Sequence, residues 1–334
     1  MAAIPTDRYS TDLRSKAIRV NTRELLMSRI AGSAQEFNLT NPPNAGGLGR
    51  LRHFHMEQSV GWPLNPLPIV PAAHALGLPE IELYIGEVFQ NAACNWRCWY
   101  CYVPFSLLSA NAERSEWVTS EELVRRYLEV EPRPLIIDCS GGQPDLVPEW
   151  IPWMLDALTD AGMEGQTYLW SDDNLSNDYF WQYLTNAQID RLAGHRNYGR
   201  VCCFKGFDEE SFAFNTKAAP ELFARQFELF DRLFSTGMDL YAYATLTGPD
   251  EATAESGVVE FVDRLQAIDK NLPLRLVPLR IEVFGTVTER VHDAQRRSLE
   301  VQEIAIAKWN ELLLERFTPT ERTLSIAAVP RARV

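Results

Sequence analysis

The stretch NAACNWRCWYCY, residues 91–102, sets Cys94, Cys98 and Cys101 in a C-x3-C-x2-C spacing. Thiolates are natural ligands of iron–sulfur clusters, and a closed four-iron cluster asks for four of them. This loop offers three, and the other cysteines, Cys139, Cys202 and Cys203, stand far along the chain. An iron without a protein ligand is open to a substrate or cofactor, the logic that separates catalytic from structural metal sites. Structural zinc is a competing reading. It normally takes four ligands, and neither a second C-x2-C pair nor a nearby histidine accompanies the loop, the histidines being His53, His55, His74, His195 and His292. Disulfides fit less well, because the three thiols crowd one loop, no signal peptide is expected, and a chain of 334 residues needs no staple. A reducing cytoplasm is the expected location.

Working outward, IELYIGEV (81–88) reads as a strand that runs straight into this loop. Further strands are expected at PLIIDCS (134–140), TYLWS (167–171), RVCCFK (200–205), LYAYATL (240–246) and LRLVPLRIEVF (274–284). Helical patterns fall between them, near 119–130, 148–161, 177–193, 219–236 and 255–268. Thr119 or Ser120 can cap the first of these, with Glu121 and Glu122 meeting the positive helix end. The alternation predicts a parallel α/β sheet or barrel, with the cysteine loop at the C-terminal end of the first strand, where barrels build their sites. Upstream, about 11–30 reads as a helix, its Arg14, Lys16, Arg19, Arg23 and Arg29 suiting a solvated face. The Pro- and Gly-rich stretch that follows, including Pro42, Pro43, Gly46 and Gly47, reads as an irregular extension. A last long helix is expected near 293–316, before a polar tail.

Composition sets limits on function. With 46% hydrophobic and 23% charged residues and no long apolar run, a soluble enzyme-sized chain is expected, with no membrane span. A net charge of −13 argues against a nucleic-acid partner or an anionic membrane, since neutralising phosphates needs a basic surface.

The run CNWRCWYC, with aromatic Tyr100 just before the third cysteine, resembles the cluster motif of the radical S-adenosylmethionine (radical SAM) superfamily. The resemblance implies that Cys94, Cys98 and Cys101 bind a [4Fe–4S] cluster and that S-adenosylmethionine (SAM) chelates the open iron, with Tyr100 on the adenine side. It further implies reductive cleavage of SAM to methionine and a 5′-deoxyadenosyl radical that abstracts hydrogen from a small-molecule or peptide substrate. Reduction would draw on an electron donor such as flavodoxin or ferredoxin. The implied fold is a partial (β/α)6 TIM-like barrel over 81–290, with an N-terminal extension (1–80) and a C-terminal helix and tail (291–334).

A second element, Cys139-Ser140-Gly141-Gly142-Gln143-Pro144, resembles the family's Gly-Gly-Glu-Pro turn, which receives the SAM amine. Its glycines allow a turn and a close backbone approach. Gln143 departs from the usual glutamate: its amide oxygen can accept from an amine but carries no charge. After the third strand, Ser171 and Asp172 take the position expected to bind ribose, although Asp and Asn there could equally cap the next helix. Cys203-Phe204-Lys205 is more distantly similar to the Asp-x-Lys element of glycyl-radical-activating enzymes, with the lysine kept and the aspartate absent. Lys205 could pair with the SAM carboxylate or a substrate acid, or be an ordinary surface lysine. Cys202 and Cys203 point to opposite faces of their strand, so buried apolar roles and a single cluster are expected. The aromatics Trp96, Trp99, Tyr102 and Phe105 could shield a radical, form a docking surface or cover the rim. Three function classes therefore stand: a radical SAM enzyme on a small molecule or peptide, an activase that places a radical on a protein partner, and a non-catalytic iron–sulfur or zinc protein.

Overall fold

A computed structural model describes residues 3–332, so the outermost two residues of the expected extension and of the expected tail lie outside the described residues. The chain opens with α1 (Thr6–Ala17), β1 (Ile18–Arg19), β2 (Glu24–Ser28), β3 (Gly49–His55) and α2 (Ile69–Leu76). It continues through β4 (Leu83–Gln90), β5 (Ser115–Thr119), α3 (Ser120–Leu128), β6 (Ile136–Ser140), α4 (Trp150–Asp160) and β7 (Tyr168–Asp173). Next come α5 (Tyr179–Tyr183), α6 (Asn186–Gly194), β8 (Tyr198–Phe204), α7 (Glu209–Thr216), α8 (Leu222–Ser235), β9 (Leu240–Ala244), α9 (Ala254–Ile268), β10 (Leu276–Pro278) and α10 (Asp293–Arg316).

One seven-stranded sheet runs in the order β10-β9-β8-β7-β6-β4-β3. From β4 to β10 every neighbour is parallel, so the strands expected from the sequence pair in chain order as a curled half-barrel of six βα steps. The edge strand β3 closes onto β4 antiparallel, from Gly49 opposite Phe89 to His55 opposite Leu83. A small antiparallel sheet, β1-β2-β5, and the long helix α10 complete the fold. No helix among the described residues is long and apolar enough to cross a membrane.

Several local expectations differ from the structure, among them the irregular reading of the Pro- and Gly-rich extension, which carries β3 of the main sheet and helix α2. The helix read over 11–30 stops at Ala17, and Arg23 takes a left-handed φ of 53°. Leu25, Leu26 and Met27 are then buried in β2, paired with β5, so tertiary pairing overrides helical spacing. The arginines of that stretch are not simply solvated: Arg14 is buried and ion-paired with Glu149 at 2.5 Å, and Arg23 binds Asp156 at 2.7 Å. The strand read over 274–284 ends at Pro278, because the Gln302 side chain of α10 bonds the Ile281 N–H and carbonyl in place of a neighbouring strand. The helix read over 177–193 breaks at Leu184, where Thr185 and Gln188 form a capping box that starts α6.

Alternation along the parallel strands sorts the interior. Ile136, Tyr168, Trp170, Val201, Tyr241, Tyr243 and Val277 pack with Phe54 and Tyr84 and fill the lower lumen. Continuing each strand toward its C-terminal end turns the inward positions polar: Asp138, Ser140, Asp172, Lys205 and Thr245. The opposite face packs against the helices, with Phe204, Phe261 and Trp309 in contact there.

On that outer side Glu87 of β4 is fully buried. Its Oε2 accepts from Asn44 at 2.7 Å and its Oε1 has no partner. Burial pushes its carboxyl up to about 7, against the pull of Asn44 and Arg50. A carboxyl raised above its unfolded value stabilises the fold while protonated, and that contribution is lost as pH climbs from about 4.5 through about 7. Glu87→Gln, which keeps the acceptor for Asn44, is expected to raise stability at pH 8 by up to about 3 kcal/mol and to change little at pH 4. Denaturant midpoints at the two pH values check this.

Candidate functional site

The cysteine loop leaves β4 at Gln90 and is held in place by neighbours on three sides. Trp96 is buried and donates Nε1–H to Thr6 Oγ1 of α1 at 3.1 Å. Trp99 is buried and donates to Asn215 Oδ1 of α7 at 2.9 Å, while the backbone N–H groups of Arg97 and Trp99 bond the Thr216 and Asn215 carbonyls. Arg97 donates to the Cys94 and Trp96 carbonyls, and Arg290 donates to the carbonyls of Cys101 and Val103. These two tryptophans therefore anchor the loop rather than present a docking surface.

Cys94 and Cys101 are half-buried, Cys98 is buried, and none is in a disulfide. The thiols lie close enough to act on one another: burial pushes Cys98 up to about 12, and charge on Cys94 or Cys101 would raise it further. Lys205, half-buried at the end of β8, works the other way. Burial disfavours its ammonium, but Cys203, Tyr100, Cys98 and Cys94 around it more than compensate and raise its pKa. It is not a free surface lysine. Tyr100 reaches across the mouth to β9, accepting from Thr245 Oγ1 at 3.1 Å. Among the described residues no group of three or more His, Cys, Asp or Glu side chains is drawn together as a preformed metal site. The donor set itself suits iron–sulfur ligation, since three unpaired thiols share one anchored loop beside a cation.

The Gly-Gly turn closes directly against this loop. Gly141 and Gly142 have φ of 65° and 80°, and a Cβ on Gly142 would stand 2.5 Å from the Asn91 and Ala93 carbonyl oxygens. Only glycine takes both that conformation and that approach. Next to it, Gln143 N–H donates to Ala93 O at 2.7 Å, and Asn91 Nδ2 donates to Gln143 O at 2.8 Å. The two motifs, far apart in sequence, thus form one hydrogen-bonded unit.

The buried Gln143 side chain points into the protein. Its Nε2 donates to Asp173 Oδ1 at 2.8 Å, and its Oε1 accepts from the Asn174 N–H at 2.9 Å. An amide serves both contacts at once, which accounts physically for glutamine at this position: a glutamate would set two carboxylates against each other. Gln143→Glu is expected to cost about 1–3 kcal/mol at pH 8 by unpairing this buried contact. Protonation relieves the repulsion, so the loss shrinks at pH 5, which thermal unfolding at both pH values checks.

Ser171 and Asp172 fall on opposite faces of β7. Ser171 is buried behind the sheet with its hydroxyl 2.8 Å from Tyr198 Oη, whereas Asp172 faces the mouth and accepts from Ser140 Oγ at 2.5 Å. Burial raises the Asp172 carboxyl. Beneath it burial and the Asp172 charge push Asp138 up to about 8.

Several residues were not singled out from sequence. Arg200, buried at the start of β8, pairs with Asp145 and, at 2.7 Å, with Asp173, holding the carboxylate that fixes Gln143. Nothing in a lone arginine of a strand signals this. Arg50 and Arg52 of β3 face the same chamber, which GRLRHFH (49–55), polar on both faces, does not signal.

No family model matches the chain, and no curated protein matches it in sequence. Among solved structures the chain is similar to Streptococcus suis SuiB bound to S-adenosylmethionine, with a TM-score of 0.42 and 17% identity over 64% of this chain and 45% of that one. It is also similar to Streptococcus suis SuiB bound to precursor peptide SuiA, with a TM-score of 0.37 and 16% identity over 53% of this chain and 36% of that one. The chain thus spans less than half the length of these neighbours.

Proposed function

We propose that the chain is a radical SAM enzyme in which Cys94, Cys98 and Cys101 hold one [4Fe–4S] cluster and SAM lies between their loop, the Gly141–Gly142 turn and the mouth-facing ends of β7 and β8. The observation that supports it most is the hydrogen-bonded junction of the cysteine loop with the Gly-Gly turn at the C-terminal ends of adjacent parallel strands. Bound together, cluster and SAM supply one-electron cleavage of SAM and hydrogen abstraction from a substrate. The chain's own residues do the rest. Gly141 and Gly142, bare of side chains, let the turn pack tightly against Gln90 and the start of the cysteine loop, which fixes the turn beside the thiols. Lys205 presents a cation to a carboxylate, and Asp172 presents acceptors to hydroxyls or an ammonium. Gln143, bonded inward, stiffens the turn. Trp96 and Trp99 seal the loop's underside from water.

In this reading 81–290 carries the core, and a small-molecule or peptide substrate and an electron donor such as flavodoxin or ferredoxin complete the reaction in the cytoplasm. The test is anaerobic: the reconstituted chain, SAM and a strong reductant should give 5′-deoxyadenosine. No product from protein shown to hold a four-iron cluster would overturn the enzyme reading and leave a non-catalytic iron–sulfur protein. Deuterium passing into 5′-deoxyadenosine from a labelled protein, rather than from labelled metabolites or peptides, would favour the activase instead.

A further inference from the structure

Beside the cysteine loop, a cavity of about 200 Å³ opens between β3, Tyr102 and the segment after β10, with Gln35, Asn38, Arg50, Arg52, Tyr102 and Phe284 in its wall. We propose that it binds a carboxylate of the substrate, with Arg50 and Arg52 as the recognition residues; the assignment rests on the radical SAM reading and names the substrate class.

Both guanidinium groups come from one face of β3, two residues apart, and that strand holds them at the barrel edge through seven paired positions on β4. Arg50 is 6% exposed. It donates through Nη2 to Tyr102 Oη at 2.6 Å, and its buried Nε has no hydrogen-bond partner. Arg52 keeps about a third of its side chain accessible and has Asp138 at 3.5 Å, yet neither oxygen of Asp138 is hydrogen-bonded. Arg52 is therefore held by the charge of Asp138 and Asp172 on its barrel side rather than by a close hydrogen bond, which leaves its outer side to the cavity. Arg50 thus has one buried donor unmet and Arg52 is open to the cavity, so the pair suits an oxyanion that a guanidinium fork grips in two places. No carboxylate residue lines the cavity, and its charged wall is wholly cationic. Its size and the apolar side supplied by Leu39 and Phe284 suit an acid on a short carbon chain, with no room for a nucleotide. Tyr102, which contacts Arg50, directly follows the ligand Cys101, so a substrate anchored here extends toward the site of hydrogen abstraction.

The experiment is equilibrium binding to the full chain, followed by thermal unfolding and calorimetry at constant ionic strength, with glutarate and its uncharged diamide glutaramide as probes. Glutarate should stabilise the chain and glutaramide should not. Arg50→Gln and Arg52→Gln should each weaken glutarate binding about tenfold or more, with Arg52→Lys recovering part of it, while SAM affinity changes less than glutarate affinity. Equal effects of the two probes on the unsubstituted chain overturn the proposal without recourse to variants. So does an Arg52→Gln variant that loses SAM and keeps glutarate, since the arginines would then hold the carboxylate of SAM. A chain that binds glutarate through these arginines but takes no SAM would overturn the preceding reading and still support the anion site.

Discussion

Cys98→Ala is expected to reduce 5′-deoxyadenosine formation to background and to lower the iron bound after reconstitution. Three thiolates on a four-iron cluster leave one iron open, so losing one opens a second iron and weakens cluster retention. Cys98 is also the buried member of the triplet, where water would replace a lost sulfur poorly. The control is Cys202→Ala. Cys202 packs in the outer core among the helices, whereas its neighbour Cys203 belongs with the lumen side chains. Its replacement should leave product formation intact. Chromatography of the nucleoside product and iron analysis of both variants decide the matter, and equal losses in both would point to a second cluster involving Cys202.

The largest effect on stability is expected at Arg200. This residue is 1% exposed, its guanidinium pairs with Asp145 and Asp173, and it lies 5.1 Å over the Phe180 ring. Arg200→Leu leaves two buried carboxyl groups without their cation, a change that typically costs about 3–5 kcal/mol. Even with Arg200 present, burial pushes Asp145 up to about 7. Removing the cation raises Asp145 further, and a raised carboxyl loses stability as pH climbs. The deficit should therefore be larger at pH 8 than at pH 5, measured by denaturant unfolding. Because Asp173 fixes the Gln143 amide, SAM affinity should fall in the same variant.

Much of the barrel was legible in the sequence for a simple physical reason. Parallel strands buried on both faces read as continuous apolar runs, and PLIIDCS, TYLWS and RVCCFK carry that signal with helical patterns between them. The edge strand β3 was not legible. One of its faces carries Arg50 and Arg52, so GRLRHFH looks polar, and only pairing with β4 shows that the charges point inward. Likewise 24–28 has apolar spacing compatible with a helix, and its partner β5 lies some ninety residues on.

By itself the sequence determined the six-step α/β plan, the incomplete thiol set of Cys94, Cys98 and Cys101, and the glycine pair at 141–142, because these depend on residue type, short spacing and periodicity. Tertiary structure alone decided where charge and amide groups point. It turned Gln143 toward Asp173, put Arg200 between two acids, separated Ser171 from Asp172, brought Lys205 beside the thiols and set Arg50 and Arg52 at the chamber wall. The physical reason is that long polar side chains take their direction from partners dozens of residues away, and burial makes each such partner costly to leave unmet.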